Sequence, residues 1–157
     1  MASENSPEPS PEPAPSPLSL PELNPDVGYT SDRESFQYSE LINELRSNGI
    51  RFTEENVVYI GRDQTGKVVW LETRNNRAGL QHIMTNHKHD FENVGISENQ
   101  IPDVVMRAVT TGNIVGMQNT RPIYRAIFNG ETHYIAVDVG SNGFIVGANP
   151  KSRSYSP

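Results

Sequence analysis

The chain has 157 residues, a formal charge of −6, 34% hydrophobic residues and no cysteine. Disulfides and thiolate metal sites are thereby excluded, and the longest apolar runs, "VVWL" and "YIAV", are too short to cross a membrane. The charge belongs to one end: residues 1–35 hold seven acids and one base, so the remainder is neutral overall and lacks the basic excess of a non-specific duplex-DNA binder.

Eight of the twelve prolines fall in the first 25 residues, in "SPEPSPEPAPSPLSLPELNP". Such a segment buries too little apolar surface to offset the entropy of ordering it, so residues 1–34 read as a disordered linker, partly polyproline II. The folded domain is expected over residues 35–150, with 151–157 as a flexible tail. In "YSELINELRSNG", Tyr38, Leu41, Ile42 and Leu45 fall at i, i+3, i+4, i+7 and predict an amphipathic helix ending at Gly49. "VVYIGRDQTGKVVWLET" predicts two strands around a turn at Asp63–Gly66. Helical pattern returns from Arg77 to Phe91. In "SENQIPDVVMRAVTTG", Ser97 and Gln100 have capping-box spacing, Pro102 lies in the first turn, and Ile101, Val104, Val105, Ala108 and Val109 make one apolar face that Gly112 ends. A strand is an option at Ile114–Gln118. "PIYRAIF" and "THYIAVDV" flank Asn129–Gly130, a type I′ hairpin signal, and a turn at Gly140–Gly143 leads into "FIVGANP". The order predicts an α+β domain: N-terminal helices packed on a mainly antiparallel four-stranded sheet with a C-terminal β-meander.

Three of the four histidines crowd into "GLQHIMTNHKHDF". One continuous helix sets His82 and His89 about 10 Å apart along its axis, too far for one zinc with its bonds of about 2 Å, and His87 about 140° around from His82. No metal is therefore expected. A plainer reading puts His87 among Leu80, Ile83, Met84 and Phe91 on the apolar face, with His82 and His89 toward solvent. A third reading is acid–base chemistry, since imidazole takes and returns protons near neutral pH. The meander supplies partners: Gln118, Arg121, Tyr124, Arg125, Thr132 and His133. A sheet face carrying such groups suits a phosphate and the charge that develops on it.

"GLQHIMTNH", "RPIYRAIFNGETHYIAVDV" and "GFIVGANP", in that order, resemble the barnase–EndoU–colicin–RelE superfamily of metal-independent ribonucleases, in its polymorphic-toxin and phage-associated branches. The resemblance covers roughly residues 57–150. It implies helices on a four-stranded antiparallel sheet, no cofactor, and RNA cleavage by attack of the ribose 2′-oxygen on the adjacent phosphate to give a 2′,3′-cyclic end. Transfer RNA is the substrate the family suggests. It implies His82 and His87 as acid and base, which requires the helix to end or kink near Asn86. Arg125 and Arg121 become the phosphate cations, with Tyr124 or Thr132 orienting the phosphate and His133 close by. Many relatives carry Ser or Thr where this chain has Gly147, and Asn149 or Ser141 is the alternative for that hydroxyl. The resemblance further implies a soluble toxin domain delivered into a target bacterium as part of a larger protein, and an acidic immunity protein that covers the cleft. The alternatives are a non-catalytic protein-binding module on the same fold, or an ADP-ribosyltransferase-type toxin.

Overall fold

The computed structural model describes residues 28–157; the expected disordered linker lies, for residues 1–27, outside the described residues. The elements are β1 (Gly28–Thr30), α1 (Phe36–Ser47), β2 (Val57–Arg62), β3 (Val68–Glu72), α2 (Leu80–Asn93), α3 (Ile101–Thr111), β4 (Asn113–Gln118), β5 (Arg121–Phe128), β6 (Glu131–Val139) and β7 (Ile145–Pro150). They form an α+β structure with two antiparallel sheets, β1-β2-β3 and β4-β5-β6-β7.

Local chemistry accounts for most of these elements. The Ser35 hydroxyl accepts the Tyr38 N–H at 3.0 Å and caps α1. Tyr38, Leu41, Ile42 and Leu45 are all buried, as their spacing predicts. Asp63 Oδ1 accepts from the N–H groups of Thr65 and Lys67 at 2.9 and 3.0 Å and closes the β2–β3 turn. Ser97 and Gln100 form their capping box ahead of α3. Asn129 and Gly130 both take positive φ, 53° and 78°, and their twist matches that of the flanking strands.

Tertiary packing departs from the expectation in three places. The first concerns α1, which covers the three-stranded sheet rather than the four-stranded one; its apolar stripe shares a core with Ile60, Trp70 and Phe144. The second concerns α3, which lies between the sheets, touching β1, β2 and β3 on one side and β5 and β6 on the other. Met106 and Thr110 are consequently buried along with the expected apolar stripe. The Thr110 hydroxyl is satisfied by donating to the Met106 carbonyl at 2.7 Å. The third concerns the domain limits of 35–150. At one end, β1 pairs with β2 from Gly28↔Arg62 to Thr30↔Ile60. At the other, the Lys151 N–H donates to the Tyr134 carbonyl at 2.7 Å, and the Tyr155 ring packs edge-on against Tyr134 at 5.2 Å. The segment expected as a flexible tail is held on the sheet.

The sheets are tied together where the Trp70 N–H donates to the Gly143 carbonyl at 3.0 Å and the Trp70 and Phe144 rings meet at 5.7 Å. Helices α2 and α3 cover one face of the four-stranded sheet over Ala126, Ile135, Val137, Ile145 and Ala148. Alternation places Gln118, Arg121, Arg125, Tyr134, Asp138, Gly147 and Asn149 on the other face. Among the described residues no helix is long and apolar enough to cross a membrane.

Candidate active site

The position of His82 follows from a short turn after β3. Asn75 Oδ1 accepts from the N–H groups of Arg77 and Ala78 at 2.9 and 3.2 Å. The Gly79 N–H donates to the Val146 carbonyl of β7 at 2.9 Å, and the Gln81 N–H to the Thr73 carbonyl at 3.1 Å. Gly79 has φ +87°, and a Cβ there would lie 2.6 Å from the Glu72 carbonyl oxygen, so only glycine fits. The first turn of α2 is thus pinned to the edge of β7. Ile83 is fully buried in the core, which turns His82, one residue earlier, to the rim of the sheet.

The imidazole is oriented as well as placed. His82 Nδ1 is held 2.8 Å from the Asn76 carbonyl oxygen, in the turn ahead of α2. That leaves Nε2 as the ring nitrogen turned toward Gly147. The Asn86 amide lies 2.9 Å from the same Nδ1 and donates to the His82 carbonyl at 3.1 Å.

Arg121 approaches from the other side. Its Nη1 donates to Asn149 Oδ1 at 2.8 Å. Asn149 and Gln118 exchange amide hydrogen bonds at 3.1 and 3.2 Å, and Lys151 Nζ donates to Gln118 Oε1 at 3.0 Å. Two cations are thus held by neutral amides, which fix them without cancelling their charge. The two approaches meet at Gly147. A Cβ on Gly147 would lie 3.1 Å from Arg121 Nη2 and 3.4 Å from His82 Nε2. The missing side chain is the space that the imidazole and guanidinium share. Asp138 is the register partner of Gly147 and lies on the same face.

The remaining sequence candidates lie elsewhere. Helix α2 runs through Asn86 without interruption, so His87 stays about 140° around from His82; its Nδ1 pairs with Asp90 at 2.9 Å. The expected His82–His87 pair is not assembled. His89 is exposed beside Glu92. Tyr124 sits on the helix-covered face, opposite Ile135 and against the core. Burial, helped by Asp63, pushes its phenol pKa above the ordinary value. His133 occupies that same covered face, buried beside a cavity of about 90 Å³ walled in part by Lys151, Ser152 and Arg153. Burial lowers its pKa, against an opposing pull from Glu131 3.5 Å away. Arg125 and Thr132 lie on the open face, but Arg125 is four strand residues from Arg121, about 13 Å. Ser141 lies in the turn before β7, where its carbonyl accepts Lys67 Nζ at 2.6 Å. Of the expected set, His82, Arg121 and Asn149 come together.

Two members of the site escaped the sequence reading. Asp138 was legible in the alternation of "THYIAVDV", where it follows Tyr134 and Ala136 onto the open face. Lys151 had no such signal, because it lies past the last predicted strand. Among the described residues no group of three His, Asp or Glu side chains is placed to hold one metal ion. Comparison with known proteins gives no matching family model and no matching curated protein.

Proposed function

We propose that the chain is a metal-independent endoribonuclease that cleaves RNA by attack of a ribose 2′-oxygen on the adjacent phosphate. The observation that carries this reading is the meeting of His82 Nε2 and Arg121 Nη2 over the bare backbone of Gly147. A phosphate seated on the solvent side of that meeting point touches both the guanidinium and the imidazole, with the Lys151 ammonium behind. In-line displacement needs proton acceptor and donor on opposite sides of phosphorus. Asp138, the register partner of Gly147, and His82, whose Nε2 lies over Gly147, are assigned these roles. The Asp138 carboxylate takes the 2′-hydroxyl proton, the 2′-oxygen bonds to phosphorus, the bond to the 5′-oxygen breaks, and His82, entering the step as the imidazolium, gives its Nε2 proton to that leaving oxygen and is left neutral. Arg121 and Lys151 stabilise the extra negative charge on the pentacoordinate phosphate. The products are a 2′,3′-cyclic phosphate and a 5′-hydroxyl.

The same reading casts the chain as the toxin domain of a bacterial competition system, with an acidic immunity protein seated over Arg121 and Lys151. The test is total RNA incubated with the protein in excess chelator. Cleavage is expected, and His82→Ala and Asp138→Asn are each expected to slow it by roughly 10²–10⁴. Cleavage that needs an added divalent metal, or that survives both substitutions undiminished, overturns the mechanism.

A further inference from the structure

A second cationic region lies away from Gly147, where the open face meets the C-terminal half of α3 at the end of β5. Arg107, Thr111, Asn113, Arg125, Thr132 and Tyr134 contribute to the wall of a groove of about 810 Å³, and no acidic residue lines it. Among the described residues neither guanidinium has an ion-pair partner. Arg107 Nε is moreover buried without an acceptor, an unfavourable state for a donor. Two uncompensated arginines beside hydroxyl and amide groups make an anion site.

The surface between the groove and Gly147 is aromatic. The Tyr155 ring rests against Tyr134, its hydroxyl is 3.1 Å from where a Cβ of Gly116 would be, and Lys151 Nζ stands 5.4 Å from its centroid. Gly116 pairs with Ile123, and Tyr134 with Arg125. Tyr155 therefore lies over the rows that separate Arg121 from Arg125. The order across the face is cation, aromatic pair, cation, spread over about 13 Å of β5. Proteins that hold single strands alternate these same groups, charge for the backbone and rings for the bases.

We propose that the Arg107–Arg125 groove is a second phosphate site and that the open face is a track for one RNA strand, its bases stacking on Tyr134 and Tyr155 between the two phosphate sites. This rests on the reading of the chain as an RNA-cleaving protein and adds a substrate class: a single strand several nucleotides long. The groove binds a phosphate remote from the bond being cut, and so it acts on affinity and length preference.

The experiment titrates the full chain into fluorescent 2′-O-methyl uridine oligomers, which cannot be cleaved by 2′-oxygen attack, of two and of about ten nucleotides. The combined Arg107→Gln and Arg125→Gln substitutions are expected to weaken the longer oligomer about tenfold or more. They are also expected to reduce its salt slope by about 1.4, the loss of two single-strand phosphate contacts. The dinucleotide is expected to be unaffected. Arg125→Gln alone, at an exposed position, is expected to give about half that change in slope, so the result does not hang on the folding of an Arg107 variant. Tyr155→Ala is expected to weaken the longer oligomer about 5- to 150-fold. Unchanged affinity and slope, or equal losses for both lengths, overturn the track. Failure of the unsubstituted chain to bind either oligomer at low salt also overturns it and points the groove at an acidic protein. A chain that binds with this length dependence but never cuts RNA keeps the track and loses only the catalytic reading. A chain that cuts RNA without the length dependence loses only the track.

Discussion

Gly147 is where a single residue decides most. A hydroxyl at that position is what the resemblance to toxin ribonucleases leads one to look for, yet the backbone there faces two side chains at 3.1 and 3.4 Å from a would-be Cβ. Contacts that tight force a neighbour to move. Gly147→Ser is therefore expected to lower the rate of RNA cleavage, on the order of 10²-fold for a displacement near 1 Å, with the circular dichroism spectrum unchanged. A gain in rate would show that a hydroxyl is wanted there and that the space is not. His133 gives a second residue-scale prediction. Its pKa is depressed in the folded state by burial, below about 6.5 in the unfolded chain. Between those two values the unfolded chain binds the extra proton, so stability rises with pH and falls as the solution is acidified. The penalty is absent above pH ~6.5. Urea midpoints measured between neutral and mildly acidic pH are expected to fall for the unsubstituted chain and to fall less for His133→Gln.

At the scale of elements, α3 shows what a periodic pattern conceals. The stripe Ile101, Val104, Val105, Ala108, Val109 marks a helix with one buried side, and Met106 lies off it. The helix is buried on two sides because a second sheet packs against the first. Met106→Ala is accordingly expected to cost about 2–5 kcal/mol, the range for a large core side chain, in equilibrium denaturation. A loss below about 0.5 kcal/mol, usual for an exposed position, would mean that the three-stranded sheet does not cover that side. The same contrast separates what was legible from what was not. Ser35, Asp63, Ser97 with Gln100, and Asn129–Gly130 act on backbone a few residues away, so caps and turns could be read from spacing. Strand β1 is three residues long and owes its existence to a partner about thirty positions along the chain. The expected interruption of α2 at Asn86 failed for a local reason: the Asn86 amide folds back onto the His82 carbonyl and the helix continues.

At the scale of the molecule, the site depends on three distant segments arriving at one edge. His82 comes from the start of α2, Arg121 from β5 and Gly147 from β7, and the pin between them is the Gly79 N–H on the Val146 carbonyl. The histidine motif and the meander arginines were visible as residue types, which is why His82, Arg121 and Asn149 could be named. Which arginine meets the histidine was set by strand register and by the edge that α2 docks against, neither of which spacing encodes. Gly79→Ala tests the docking: it is expected to lower stability by more than about 1 kcal/mol, since the residue needs positive φ, and to lower cleavage beyond what the unfolded fraction explains.

The most direct measurement uses a DNA oligonucleotide carrying a single ribonucleotide, incubated with the protein in chelator. Cleavage is expected only on the 3′ side of that ribose, leaving a 2′,3′-cyclic phosphate and a 5′-hydroxyl, and it is expected to disappear with His82→Ala. Cutting of the all-deoxy strand, 5′-phosphate products, or undiminished cutting by the His82 variant would contradict 2′-oxygen attack at the His82–Arg121 site.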